Sequence, residues 1–162
     1  MKKLVVSLCA LFSFSLLADT TPMTSLPEGE YLGLGAYTTN WGDEGTFSSY
    51  AYVGSDFWEV SHYIDGEVRT YGAFFNFDDN GFFDIEMTYV DENGDEQTVE
   101  GRGYCRSVQC HYALNFGEKI VEETVSFVTW EDKIYWVGSV QPHGDSEDDL
   151  AVSWEVAMAR MD

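Results

Sequence analysis

Basic residues are scarce in this chain. Lysine and arginine number 8 among 162 residues, against 29 aspartates and glutamates, which gives a formal net charge of −21 at pH 7. A surface of this sign repels nucleic-acid phosphates and anionic lipid head groups, so we exclude both as partners. The same charge favours solubility, and it can also steer a basic partner toward the protein.

Long apolar segments are also lacking beyond the N-terminus, so we expect no membrane insertion. Two lysines precede an uncharged, largely apolar run from Leu4 to Leu17, and Ala18 follows it. This order is typical of a secretory signal peptide, and the run is shorter than the ~20 residues of a membrane-spanning helix. We predict a cleaved signal over residues 1–18, a flexible leader over 19–28 and a single domain over 29–162. The protein is then periplasmic or secreted.

Cysteine is rare, and the predicted signal removes one of the three residues present. Cys105 and Cys110 remain, with four residues between them. An even pair in an oxidising compartment favours a disulfide, and this spacing suits a tight hairpin. The alternatives are a dithiol redox site or a metal pair, but redox motifs usually place two residues between the cysteines, and His111 alone cannot complete a zinc site.

No segment after the signal shows a convincing helical period. Short runs rich in aromatic and β-branched residues alternate with turn signals about every ten residues, which is typical of an antiparallel sandwich or barrel. Asp65-Gly66, Asn80-Gly81 and Asn93-Gly94 match the chemistry of two-residue hairpin turns. The spacing predicts about ten strands, near residues 30–39, 46–53, 57–64, 67–77, 82–91, 95–105, 110–116, 119–130, 133–140 and 150–160. Because closure removes exposed edges, we predict an all-β, antiparallel meander barrel.

The first predicted strand opens with the sequence GEYLGLG (Gly29–Gly35), and Arg160 lies in the last strand. This pattern resembles the calycins, which include lipocalins, fatty-acid-binding proteins and nitrobindins. These proteins begin the first barrel strand with Gly-x-Trp and often pack that aromatic residue against an arginine of the last strand. The resemblance implies a calycin-like barrel in which Tyr31 meets Arg160. Here tyrosine replaces tryptophan, no helical lid is evident, and the last strand lacks the histidine that ligates haem in nitrobindins, so we expect no cofactor.

Aromatic residues make up 16% of the chain, and barrels of this size either fill with side chains or hold one small ligand. Both outcomes stay open from the sequence. The aromatic residues able to line a lumen are Trp58, Phe74, Phe75, Phe77, Phe82, Phe83, Phe127, Trp136 and Trp154, with Trp58, Phe75, Trp136 and Trp154 as the principal candidates. Arg69 and Arg102 lie inside predicted strands. They can bind a ligand carboxylate if they point inward, or form surface ion pairs if they point outward.

No catalytic motif is recognisable in the sequence. We find no Gly-x-Ser-x-Gly elbow, no phosphate-binding glycine loop and no His-Glu-x-x-His, and the histidines outside the signal, His62, His111 and His143, lack metal-binding spacing. We therefore predict a non-enzymatic, metal-free barrel that binds a small apolar or amphipathic molecule in its lumen. The alternative is an acidic interaction or inhibitor module that docks onto a basic secreted protein, such as a cell-wall hydrolase. A third possibility is an enzyme that uses acidic residues in the lumen.

Overall fold

The structure is a computed structural model that describes residues 21–91, 93–117, 119–130, 133–143 and 152–161. Its strands are β1 (Gly29–Thr39), β2 (Glu44–Val53), β3 (Phe57–Ile64), β4 (Glu67–Phe77), β5 (Phe82–Val90), β6 (Glu96–Arg106), β7 (Gln109–Asn115), β8 (Ile120–Trp130), β9 (Lys133–His143) and β10 (Val152–Arg160). Each strand pairs antiparallel with the next, and β1 also pairs with β10, so the sheet closes into a ten-stranded barrel. The predicted all-β meander barrel is confirmed. The predicted signal lies outside the described residues, and within them no helix is long and apolar enough to span a membrane.

A two-residue alternation of buried and exposed side chains runs through the strands. In β3, Trp58, Val60 and His62 are buried while Glu59 between them is exposed. Successive side chains of a strand point to opposite faces, so the buried set faces the barrel interior. The strand pairing carries this assignment around the barrel, because directly opposed residues such as His62 and Arg69 share a face.

The hairpin loops differ partly from the prediction. Asp65-Gly66 has positive φ angles of 51° and 90° and forms the expected two-residue turn. At Asn80-Gly81 and Asn93-Gly94 only the glycine has positive φ. There the preceding aspartates, Asp78 and Asp91, accept backbone hydrogen bonds from the residues two and four positions later, at 2.8–3.0 Å. The bond from the backbone of Asp95 is the main reason that the pKa of Asp91 lies below its usual range. Side-chain capping therefore replaces the predicted two-residue geometry at these two loops.

Residues 21–28 cover one end of the barrel, which we call the closed end. Leu26 is buried, and its backbone N–H donates to the carbonyl oxygen of Ser55 at 2.7 Å. The backbone N–H of Met23 donates to the carbonyl oxygen of Cys105 at 3.4 Å. Tyr31 donates its hydroxyl to the carbonyl oxygen of Pro27 at 2.9 Å. The described part of the predicted leader thus makes specific contacts, while its flexibility stays a prediction.

The two predicted closure residues lie opposite each other. Tyr31 of β1 and Arg160 of β10 are paired in the register, and Tyr31 is fully buried. Burial raises the pKa of Tyr31, and the charge of Arg160 lowers it by a smaller amount. The side chain of Arg160 also packs over Gly29, where a Cβ would lie 2.7 Å from its Nε atom. Small residues at the start of β1 therefore let the last strand close onto the first.

A disulfide joins Cys105 and Cys110 across the β6–β7 hairpin, where the two residues are register partners. We expect the double variant Cys105→Ala/Cys110→Ala to fold but to lose about 2 kcal/mol of stability, because the bridge closes only a short loop. Thermal melts followed by circular dichroism, with and without reductant, measure this loss. Reductant should lower the melting temperature of the wild type and leave the variant unchanged. A variant that cannot fold would contradict this estimate.

Candidate functional site

The barrel encloses a cavity of about 790 Å³. Its aromatic wall is formed by Phe47, Trp58, Tyr71, Tyr112, Trp136 and Trp154. Small-molecule sites in proteins usually measure about 300–1,000 Å³ and are mostly apolar with a few placed polar groups. The lumen therefore has the size and the wall of a ligand site.

Packed aromatic residues separate the cavity from the closed end. Trp58 and Trp136 both line the cavity, and their ring centroids lie 6.0 Å apart. Beneath them, Tyr31 makes an edge contact with Trp136 at 6.2 Å, and Phe75 lies 6.4 Å from Trp58. Aromatic pairs at these separations stabilise a packed interior. The closed end is thus filled with side chains, and the empty volume begins above the two tryptophans.

Acidic residues dominate the opposite end, which we call the rim. Among the described residues, Asp43, Glu44 and Asp65 line the cavity there together with Arg69. Tyr37 donates its hydroxyl to Oδ2 of Asp65 at 3.3 Å, and the charge of Asp65 raises the pKa of Tyr37. The side chain of Arg69 is 59% exposed and lies 3.9 Å from a carboxylate oxygen of Glu67. A ligand entering by the rim passes a predominantly negative field.

His62 is buried in the cavity wall. Its Nδ1 atom shares a 2.7 Å hydrogen bond with the hydroxyl of Ser49, itself buried. The imidazole packs 4.9 Å from the ring of Phe47 and 5.6 Å from that of Trp154. Burial lowers the pKa of His62 to about 4, so the ring is neutral at physiological pH. This histidine contributes a neutral polar edge to the lumen.

Among the described residues, three polar atoms of the cavity wall are buried without a hydrogen-bond partner. They are the hydroxyl of Tyr112, Oε2 of Glu123 and Nε1 of Trp136. Tyr112 and Glu123 are register partners on β7 and β8, so their side chains are direct cross-strand neighbours. A buried polar group without a partner costs about 1–3 kcal/mol, and most such groups in native proteins are satisfied. All three belong to residues that line the cavity, although the atoms themselves are covered by neighbouring protein atoms.

Glu123 is the most unusual of these groups. Only 9% of the residue is exposed, and burial raises the pKa of its carboxyl to about 8. Burial is the single cause of this shift, and no cation of the described residues offsets it. At pH 7 the empty lumen therefore holds a mostly neutral carboxylic acid. A strongly perturbed carboxyl in a cleft is a candidate for a functional site.

The predicted lumen residues fall in different places. Trp58, Trp136 and Trp154 line the cavity, and Arg69 lies at its rim. Phe75 is buried in the closed end beneath the cavity. Arg102 is not in the lumen: its side chain is 88% exposed and its Nε donates to Oδ1 of Asp84 at 3.0 Å on the outer face. The aromatic residues Phe74 and Phe82 are also exposed on the outside.

Sequence reasoning missed Glu123 and Tyr112. The alternation of β8 could have identified Glu123. Val121, Val125 and Phe127 lie two or four residues from it along the strand, so all four side chains face inward. His62 shared the apolar face of β3 in the sequence, but nothing there assigned it to a cavity. In the described residues, no group of three or more histidines, cysteines or acids could hold a metal ion.

Comparisons with known proteins add little. No protein-family model matches the chain. No curated protein matches it. A solved structure from Bacteroides ovatus, described as a structural-genomics protein of unknown function, aligns with a TM-score of 0.42 and 12% sequence identity over 82% of this chain. The alignment covers 41% of that protein, so this chain spans less than half its length. A likeness this weak carries no argument, and membership of the calycins is not confirmed.

Proposed function

We propose that this protein is an exported, soluble barrel that binds one small amphipathic molecule in its lumen, without catalysis. The observation that carries the proposal is the aromatic cavity of about 790 Å³ with three unpartnered polar atoms in its wall. Protein interiors are normally close-packed, and unpaired polar groups are rare within them. Selection for stability alone would favour side chains that fill this volume and an apolar residue in place of Glu123. A bound molecule accounts for both features together.

The two tryptophans of the cavity floor support the same proposal. Trp58 and Trp136 are held by the packed aromatic residues below them, so the bottom of the site is preformed. A rigid apolar floor costs little ordering entropy when a ligand binds. The Nε1–H of Trp136 has no hydrogen-bond partner, which favours a ligand that carries an acceptor group.

Native mass spectrometry of the protein purified from an exporting host tests this proposal directly. We expect a non-covalent excess of a few hundred mass units over the denatured mass, which corresponds to one bound small molecule. The denatured sample then supplies the ligand for identification. A bare native mass, both as purified and after exposure to apolar and amphipathic compounds, would overturn the proposal.

A variant that fills the cavity provides a second test. Val125 lines the lumen on β8, whereas Val128 on the same strand is exposed on the outer face. We expect Val125→Trp to reduce binding of an environment-sensitive hydrophobic dye at least tenfold, because the indole takes ligand volume. Val128→Trp makes the same chemical change outside the lumen and should bind the dye like the wild type. Equal binding by both variants would place the dye site elsewhere.

A second function is favoured by the outer face of the barrel. Tyr50, Tyr52 and Phe74 are exposed there beside acidic residues, with Glu59 opposite Tyr52 in the register. Exposed aromatic residues within a negative field suit the docking of a basic protein surface. The native mass spectrum separates the two functions. A bound small molecule supports the lumen, whereas a bare lumen together with a bound basic protein supports the outer surface.

A further inference from the structure

The polarity of the lumen indicates which class of amphipathic molecule it takes. The acidic rim repels anions and attracts cations before binding begins, and the chain as a whole carries a net charge of −21. The rim cation, Arg69, is more than half exposed beside Glu67. The other predicted anion-binding residue, Arg102, lies outside the barrel. A ligand carboxylate would therefore find no buried positive partner among the described residues of the cavity wall.

A ligand cation finds two kinds of partner. Glu123 lines the cavity with only 9% of the residue exposed, and its Oε2 atom has no hydrogen-bond partner. Aromatic residues line the same cavity, among them Trp136 and Trp154, and the face of an aromatic ring attracts organic cations. Ionising a buried carboxyl without a counter-ion is costly, and a bound ammonium group is the partner that removes this cost.

We propose that the lumen binds a protonated organic amine with an apolar body, its ammonium group on the carboxylate of Glu123 and its body against the aromatic wall. This rests on the proposed function, since it names the class of ligand for the same cavity. Because the empty site holds Glu123 mostly protonated, binding of the ammonium releases that proton to solvent and leaves an ion pair. Tyr112 lies opposite Glu123 in the register and lines the same wall, and its hydroxyl has no hydrogen-bond partner.

Between pH 6 and 9 we expect Glu123, and not the other titratable groups around the cavity, to release the proton. On the interior wall they are Tyr37 on β1, His62 on β3, Tyr71 on β4 and Tyr112 on β7. At the rim they are Asp43, Glu44, Asp65 and Arg69. The described residues that β5, β9 and β10 place in the cavity wall carry no charge. His62 is already neutral in this range, and burial raises the pKa of Tyr71 further above it.

Isothermal titration calorimetry with three ligands of one chain length tests the inference: decylamine, decan-1-ol and decanoate. We expect decylamine to bind tightest and decanoate weakest at pH 8. The affinity for decylamine should rise by up to about tenfold per pH unit from pH 6 to pH 8 and then level off, while that for decan-1-ol stays constant. In buffers of different ionisation enthalpy at pH 7, decylamine binding should release close to one proton.

The matched variants are Glu123→Gln and Glu122→Gln, adjacent residues of β8 on its inner and outer faces. Glu123→Gln should reduce the affinity for decylamine at least tenfold at pH 8 and abolish the pH dependence of that affinity. The affinity for decan-1-ol should stay unchanged. Glu122→Gln should bind like the wild type. If decan-1-ol or decanoate binds as tightly as decylamine, or if Glu123→Gln weakens the alcohol equally, the cation inference is wrong although the lumen remains a ligand site. If none of the three binds, both proposals fail.

Discussion

Replacing Gly33 with alanine is expected to prevent the barrel from closing. Gly33 of β1 lies opposite Met158 of β10. A methyl group at Gly33 would overlap the backbone carbonyl oxygen of Ala157 and lie 2.5 Å from Cα of Met158. Backbone atoms cannot rotate away as a flexible side chain can, so β1 and β10 must separate and lose their shared hydrogen bonds. We expect a loss of about 4 kcal/mol or more, which is a large part of the stability of an ordinary domain.

Gly72→Ala is the matched control for this prediction. Gly72 also lies within a strand, β4, but a Cβ there would meet no atom within 4 Å. In urea unfolding, the free energy of unfolding of this control should lie within about 0.5 kcal/mol of the wild-type value. Gly33→Ala should unfold at a much lower urea concentration or be recovered only as aggregate. Equal stability of the two variants would show that the β1–β10 contact is not tight.

The strand pattern was predictable because it depends on local chemistry. Each strand of the structure overlaps a predicted one, and the two-residue turn at Asp65-Gly66 follows directly from the turn preference of its residues. The loops after Asp78 and Asp91 were harder to predict. There an aspartate side chain caps the loop, and an Asn-Gly pair alone does not distinguish this geometry from a two-residue turn.

The candidate site was less predictable, because it depends on which face of each strand points inward. Alternation was clear in β3, so the inward position of His62 was readable. In β6, Arg102 lies between Gly101 and Gly103, which gave no apolar partner to fix its face, and the register places it outside. The empty volume depends on the closure of ten strands around side chains from all of them, so no local pattern reveals it.

Glu123 should make the ligand-free protein less stable as the pH rises. Its carboxyl has a pKa of about 8 in the folded protein, against an ordinary value of 4.5. Between these values the folded state holds a proton that the unfolded state has lost. The stability contributed by this group is therefore complete below pH 4.5 and falls by about 1.4 kcal/mol per pH unit until about pH 8. The total change amounts to roughly 3–5 kcal/mol, one of the largest effects that a single side chain can have here.

Glu123→Gln isolates this contribution, because its buried amide does not titrate. We measure the free energy of unfolding in urea for the variant and for the wild type. The variant minus wild-type difference should increase by about 1.4 kcal/mol per pH unit between pH 5 and pH 8, so the variant gains relative stability as the pH rises. Glu122→Gln removes one acid from the exposed face of the same strand and should follow the wild-type curve. Parallel curves for the wild type and Glu123→Gln would mean that Glu123 is solvated or paired in the folded protein.

The wild-type curve itself should change slope where His62 stops titrating. Its pKa of about 4 lies below the ordinary value of 6.5, so the stability that it contributes is present above pH 6.5 and is lost as the pH falls toward 4. From pH 4.5 to 6.5 the contributions of His62 and Glu123 run in opposite directions and cancel. Above pH 6.5 only that of Glu123 remains, and stability falls. An amine bound to Glu123 removes this fall by supplying the missing counter-ion, so the same urea series with decylamine present should be nearly flat from pH 6.5 to pH 8.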